Sequence, residues 1–239
     1  MDSLFTIQIG DLIFYFIAFI LSLSVHESAH ALTSYWFGDD TGHLQGRISL
    51  NPMAHIDPIG TILIPLMGFL SVAQGLPPLI GWAKPVETNP LRWRNKDLAN
   101  ITVSAAGPIS NFLLALATFI VMKVMLLSGM AFRGYSRPFT LIQPMIGQPD
   151  WMMPVCTFLS LMLLLNVALA VFNLIPIPPL DGSHVLETLL PDSLKEVYEQ
   201  IRPYSWIILL GLLWMGVFSF IMNPVQRLVY DLLGGGSGV

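Results

Sequence analysis

The chain has 239 residues, 54% of them hydrophobic and only 11% charged, with a mean hydropathy of +0.68. An ordinary soluble domain carries roughly 25% charged residues, so this composition excludes a free-standing soluble protein and reads as an all-α polytopic membrane protein. A net charge of −4 gives no footprint for nucleic acid, and the single cysteine, Cys156, excludes an internal disulfide and reads as a small packing residue.

Four segments are apolar over about the 20 residues a bilayer requires: 12–32, 102–127, 155–177 and 206–222. The first has no Lys or Arg ahead of it, and Asp2 and Asp11 are acidic, so it reads as a retained helix and not a cleaved leader. Near its end lies His26-Glu27-Ser28-Ala29-His30. Histidines four apart share one helix face and are spaced to grip one ion, for which zinc is the natural choice. A Glu beside the first ligand is placed to take a proton from the attacking water. A carboxylate and two imidazoles are costly in lipid, which makes the cluster a functional site by default.

Residues 38–58 alternate between short runs and Gly or Pro, which suggests a small β-hairpin or edge strand near the inner face. Gly46, Arg47, Ile48, Ser49 and Leu50 are either an edge for an extended substrate peptide or a connecting loop. His43 and His55, the latter followed by Asp57, are rival ligands, although a lone His in a polar loop seldom ligates. The apolar stretch 61–80 is broken by Pro65, Gly68, Gly75, Pro77 and Pro78 and reads as re-entrant. With that path, Arg47, Lys84, Arg92, Arg94, Lys96, Lys195 and Arg202 share one face, against Arg133, Arg137 and Arg227 on the other, with Lys123 left inside a span. The positive-inside rule then makes the seven-charge face cytoplasmic and both termini exterior. His26 and His30 fall roughly 6 and 12 Å to the cytoplasmic side of mid-helix.

Residues 82–100 are basic, with two tryptophans, and suit the headgroup layer. The helix at 102–127 opens on small residues that allow close approach to its neighbours, and Asn111 within it is either interhelical glue or a contact of the metal site. Met122, Met125, Met130 and the other methionines read as packing. Residues 128–153 form an exterior loop too short for an added domain. The segment at 155–177 ends in FNLIPIPPLDG (172–182), where Pro176, Pro178 and Pro179 cannot continue a helix. Asp181 follows, with Gly182 for the turn. Asp181 reads as a third metal ligand, with the cap of a helix starting at Ser183 as the alternative. Two imidazoles, one carboxylate and an open position make a catalytic zinc arrangement. Asn173 either donates to an oxyanion or substrate carbonyl or steadies the broken helix. His184 is a weaker rival ligand. Residues 234–239 read as a flexible tail after a single domain spanning 1–233.

HESAH (26–30), AAGPISN (105–111) and FNLIPIPPLDG (172–182), in this order, resemble the site-2 protease family of intramembrane zinc metalloproteases; GRISLNPMAHIDPIG (46–60) resembles a stretch of its compact bacterial members, which lack PDZ and CBS domains. The resemblance covers about residues 12–190. It implies one zinc ion on His26, His30 and Asp181, Glu27 as general base, Asn173 as a substrate contact, and a three-helix catalytic core (12–32, 102–127, 155–177). It further implies single-span membrane proteins as substrates, in the bilayer of a bacterial plasma membrane. Two other classes compete: a metal transporter, which would need further ligands along its spans, and a silent membrane scaffold, which would not need Glu27.

Overall fold

The computed structural model describes residues 9–73, 81–134 and 140–234. Helix α1 (Ile9–Trp36) is followed by the single-turn α2 (Thr41–Leu44), a π-turn at Pro58–Leu63 that runs into α3 (Ile64–Ala73), and α4 (Lys96–Leu127). Strands β1 (Ala131–Arg133) and β2 (Ile142–Pro144) pair antiparallel, with Phe132 opposite Gln143. Then come α5 (Met152–Asn173), α6 (Asp181–Leu189), α7 (Asp192–Ile201), α8 (Ser205–Trp214) and α9 (Val217–Gly234).

Helices α1, α4 and α5 are each long and apolar enough to cross a membrane. They pack on one another, and α6 lies against α4. Apolar side chains cover their outward faces, such as Ile13, Ile17, Phe112, Leu116 and Ile120, as expected where lipid is the solvent. α4 begins at Lys96, six residues before the apolar run, because Asn95 caps it by accepting from the Leu98 N–H. Cys156 is fully buried with Met122, Met125, Ile142, Met152 and Leu163 where α4, α5 and the sheet meet. Met130, Met53 and Met215, expected to pack, are exposed instead.

Three expectations need correction. The apolar run 206–222 is not one straight helix: the chain breaks at Met215-Gly216, and α9 is bent by 57° from the helices before it. The small sheet lies in the loop after α4, not at residues 46–50, which carry no strand. There the Ser49 carbonyl is already taken by Ser28 Oγ at 2.5 Å and His55 Nε2 at 2.8 Å, and Arg47 is buried with its guanidinium donating to the Ala54 carbonyl. Gly234, expected in the tail, ends α9, packed under Arg133. The run 61–80 does start as a helix, through Ala73; its continuation lies outside the described residues.

Residues 81–89 run extended across the end of α1 that carries the histidines. Alternate N–H groups face one side, as an extended chain requires: Trp82 donates to the Gly60 carbonyl at 3.0 Å, Lys84 to the His55 carbonyl at 2.9 Å, and Val86 to Glu27 Oε2 at 3.0 Å. Buried Asp39 fastens the far end, accepting from Asn89 N at 2.7 Å, Ser34 Oγ at 2.9 Å, and Thr41 Oγ1 at 2.5 Å. Burial pushes the Asp39 carboxyl up, but these donors together outweigh it and hold it below the usual carboxylate range.

Candidate metal centre

His26 and His30 project from one face of α1, as a four-residue separation on a helix requires. Their Nε2 atoms are 3.0 Å apart. Asp181 closes the triangle, with Oδ2 3.1 Å from His26 Nε2 and Oδ1 3.4 Å from His30 Nε2. Bonds of about 2.1 Å at tetrahedral angles put donor atoms about 3.4 Å apart, so the three groups are spaced as ligands of one small ion.

Proton accounting makes the same point. His26 Nδ1 donates to Asn111 Oδ1 at 2.6 Å, and His30 Nδ1 donates to the Val103 carbonyl at 2.7 Å. With both Nδ1 protons used, neutral rings have bare lone pairs at Nε2. Two such lone pairs and a carboxylate face one point, and the buried Oδ2 of Asp181 has no hydrogen-bond partner. Acceptors alone repel one another, so the arrangement calls for a cation among them. Among the described residues this is the one group of three or more His, Cys, Asp or Glu side chains close enough to hold a metal.

The backbone is shaped to allow this. Asp181 sits in the first turn of α6, where its side chain makes no cap bond; Leu180 takes the cap position. It is therefore not the cap of a helix starting at Ser183. Prolines 176, 178 and 179 end α5 and leave a turn at 174–180 that brings Asp181 back against α1. Gly182 fits because a Cβ there would lie 2.3 Å from the Leu174 carbonyl. On the opposite side, Gly107 of α4 lets that helix rest on the rings: a Cβ would lie 2.4 Å from His30 Nε2 and 2.5 Å from His26 Nε2.

Other residues singled out in the sequence lie elsewhere. Asn111 is fully buried on His26, a contact of the metal ligand. Asn173 instead donates to the Leu169 carbonyl of its own helix at 3.0 Å, which steadies the end of α5. His43 stands against the Tyr35 ring, with centroids 5.0 Å apart, and His55 is buried under Ser49. His184 gives its carbonyl to Asn100 and Thr188 and is not in the cluster. Within the basic stretch at 82–100, which reads in the sequence as a headgroup segment, Val86 reaches Glu27 through its backbone N–H. No side-chain signal marks such a contact.

Comparison with known proteins agrees with the geometry. The chain is 36% identical to YwhC of Bacillus subtilis, provisionally named a zinc metalloprotease, over 209 residues covering 87% of this chain and 84% of that one. It is 28% identical to Rip2 of Mycolicibacterium smegmatis (86% and 68% covered) and 26% identical to Rip2 of Mycobacterium tuberculosis H37Rv (90% and 72% covered), both provisionally named zinc metalloproteases. No solved structure matches. The model of peptidase family M50 matches residues 14–216, which take in α4, α5, all but the first five residues of α1, the histidine pair and Asp181. The chain therefore belongs to peptidase family M50, the site-2 protease family.

Proposed function

We propose that the protein is a zinc-dependent endopeptidase that hydrolyses peptide bonds in the membrane-spanning segments of single-span substrate proteins. The observation that carries this reading is the convergence of two bare imidazole nitrogens and an unpartnered carboxylate beside Glu27. His26, His30 and Asp181 would hold one zinc ion, with a fourth position open to water or substrate. Bound there, zinc supplies Lewis acidity, polarising the scissile carbonyl and making a water acidic enough to ionise near neutral pH.

The chain's own groups do the proton work. Val86 N–H holds Glu27 Oε2, which leaves Oε1 without a protein partner among the described residues. Glu27 accepts the proton of the attacking water at that oxygen and passes it to the leaving amine. The two histidines keep their positions throughout, because each ring is tied down at Nδ1. Water reaches the site from the cytoplasmic side on this reading, since the positive-inside rule applied to the sequence assigns that side to the end of the first helix that carries His30. The transporter reading loses support because the described residues hold no second cluster of ligands.

The direct experiment is reconstitution in lipid vesicles with a labelled single-span protein. Cleavage within the labelled span that requires zinc and is lost in Glu27→Gln supports the reading. Cleavage that survives Glu27→Gln removes the general-base assignment, and zinc transport across the vesicle wall without cleavage replaces the hydrolase with a transporter.

A further inference from the structure

The amide of Asn111 has two orientations, and only one of them suits a metal ligand. With its oxygen toward the ring, His26 keeps its proton on Nδ1 and offers a bare Nε2. With its nitrogen toward the ring, Nδ1 must accept, the proton moves to Nε2, and the ligand position is blocked. What fixes the choice lies one layer deeper, on α1 and α5.

Asn111 Nδ2 donates to Asn166 Oδ1 at 2.8 Å and to the Ser22 carbonyl at 3.2 Å. Asn166 Nδ2 donates to Ser22 Oγ and to the Met162 carbonyl, each at 2.8 Å. Ser22 Oγ donates to the Ala18 carbonyl at 2.7 Å. The carbonyls of Ala18, Ser22 and Met162 can only accept, so every donor in the chain is identified and its direction runs one way. Ser22, Asn111 and Asn166 are all 0% exposed, and none has an unsatisfied polar atom. A network this complete is worth its burial only as a unit. The Ser22 carbonyl is the more distant of the two acceptors on Asn111 and also serves the helical N–H four residues on. Asn166 makes the shorter bond.

We infer that Asn166 is a positioning residue of the metal centre. Together with Ser22 it holds the Asn111 amide in the one orientation that keeps His26 protonated at Nδ1 and free at Nε2. This deepens the metal-centre reading and rests on it, but its first readout needs no metal. If Asn166 merely glued α5 to α1 and α4, its loss would lower stability and leave the tautomer of His26 alone.

The test uses the full chain in detergent micelles, labelled with ¹⁵N at histidine. Ring nitrogen shifts give the tautomer of His26 in metal-free protein, and competition with a chelating dye gives zinc affinity. In the wild type His26 should be the Nδ1–H tautomer. Asn166→Leu should shift it toward Nε2–H and weaken zinc binding about 10- to 100-fold. Asn166→Asp should keep both properties, because its protonated carboxyl presents an acceptor to Asn111 and an O–H to Ser22. If Asn166→Leu fails to fold, Ser22→Ala carries the test, with a smaller shift of both readouts in the same direction. An unchanged tautomer and unchanged zinc affinity in the folded variant overturn the inference, even if thermal stability falls. Wild-type protein that binds no zinc would sink the metal-centre reading instead, while the tautomer comparison would still decide the role of Asn166.

Discussion

At the residue scale the chemistry depends on a few atoms with no slack. Glu27→Gln keeps the Val86 contact but removes the basic oxygen; turnover should fall by about 10²- to 10⁴-fold with zinc content unchanged by metal analysis. Loss of zinc in that variant would mean Glu27 is a ligand and not a base. Gly107→Ala places a methyl against both imidazoles, an overpacking of about 1–3 kcal/mol. Zinc affinity, measured by chelator competition, should drop about 10-fold or more; unchanged affinity would mean α4 does not press on the rings. His26, His30 and Asp181 were legible in the sequence because the four-residue spacing and the proline-broken helix each state a geometry. Asn173, left open in the sequence between a substrate contact and a brace of the broken helix, donates to its own helix here; nothing in its position along the chain shows whether an amide turns to its own helix or across a cleft. Val86, Gly107 and Asn166 were missed: a backbone N–H, a missing Cβ and a buried amide one layer back carry no signature until the helices are packed.

At the scale of elements, the three long helices were evident from their apolar length, and their ends nearest the metal centre were not. The extended segment 81–89, which crosses the metal-bearing end of α1, has no periodic pattern and reads as a basic headgroup stretch. It is held in place through Asp39, whose carboxyl sits below its usual range. Its folded pKa is lower than the unfolded value of about 3.9. The stabilisation it gives is therefore fully present above about pH 3.9 and is lost as pH falls through the folded value. Thermal unfolding followed from pH 6 downward should show this loss, and Asp39→Asn should flatten it. An equal slope in both proteins would mean Asp39 does not fasten the segment. Residues 46–50, left open between an edge and a connecting loop, show a related limit: alternation along a sequence does not reveal that Ser28, His55 and Arg47 tie the same stretch down from within.

At the scale of the whole molecule, the awkward Lys123 finds its use. From within α4 its ammonium donates to the carbonyls of Leu232 at 2.8 Å and Leu233 at 3.0 Å, closing the C-terminal end of α9. A charge that looked misplaced in a span is thus a cap on a neighbour. The overall polarity is a separate proposal, argued from the placing of the basic residues along the sequence. Single cysteines in a Cys156→Ala background should react with an impermeant reagent from outside at position 146 and only after membrane permeation at position 195. The reverse pattern would turn the site toward the exterior.

The central claim is that His26, His30 and Asp181 hold one zinc ion, and zinc-edge X-ray absorption on the purified protein tests it most directly. The expected spectrum shows two imidazole nitrogens and carboxylate oxygen at about 2.0–2.2 Å, with about one zinc per chain and a changed first shell in Asp181→Ala. Protein that carries no zinc, or a first shell indifferent to the loss of Asp181, would contradict it.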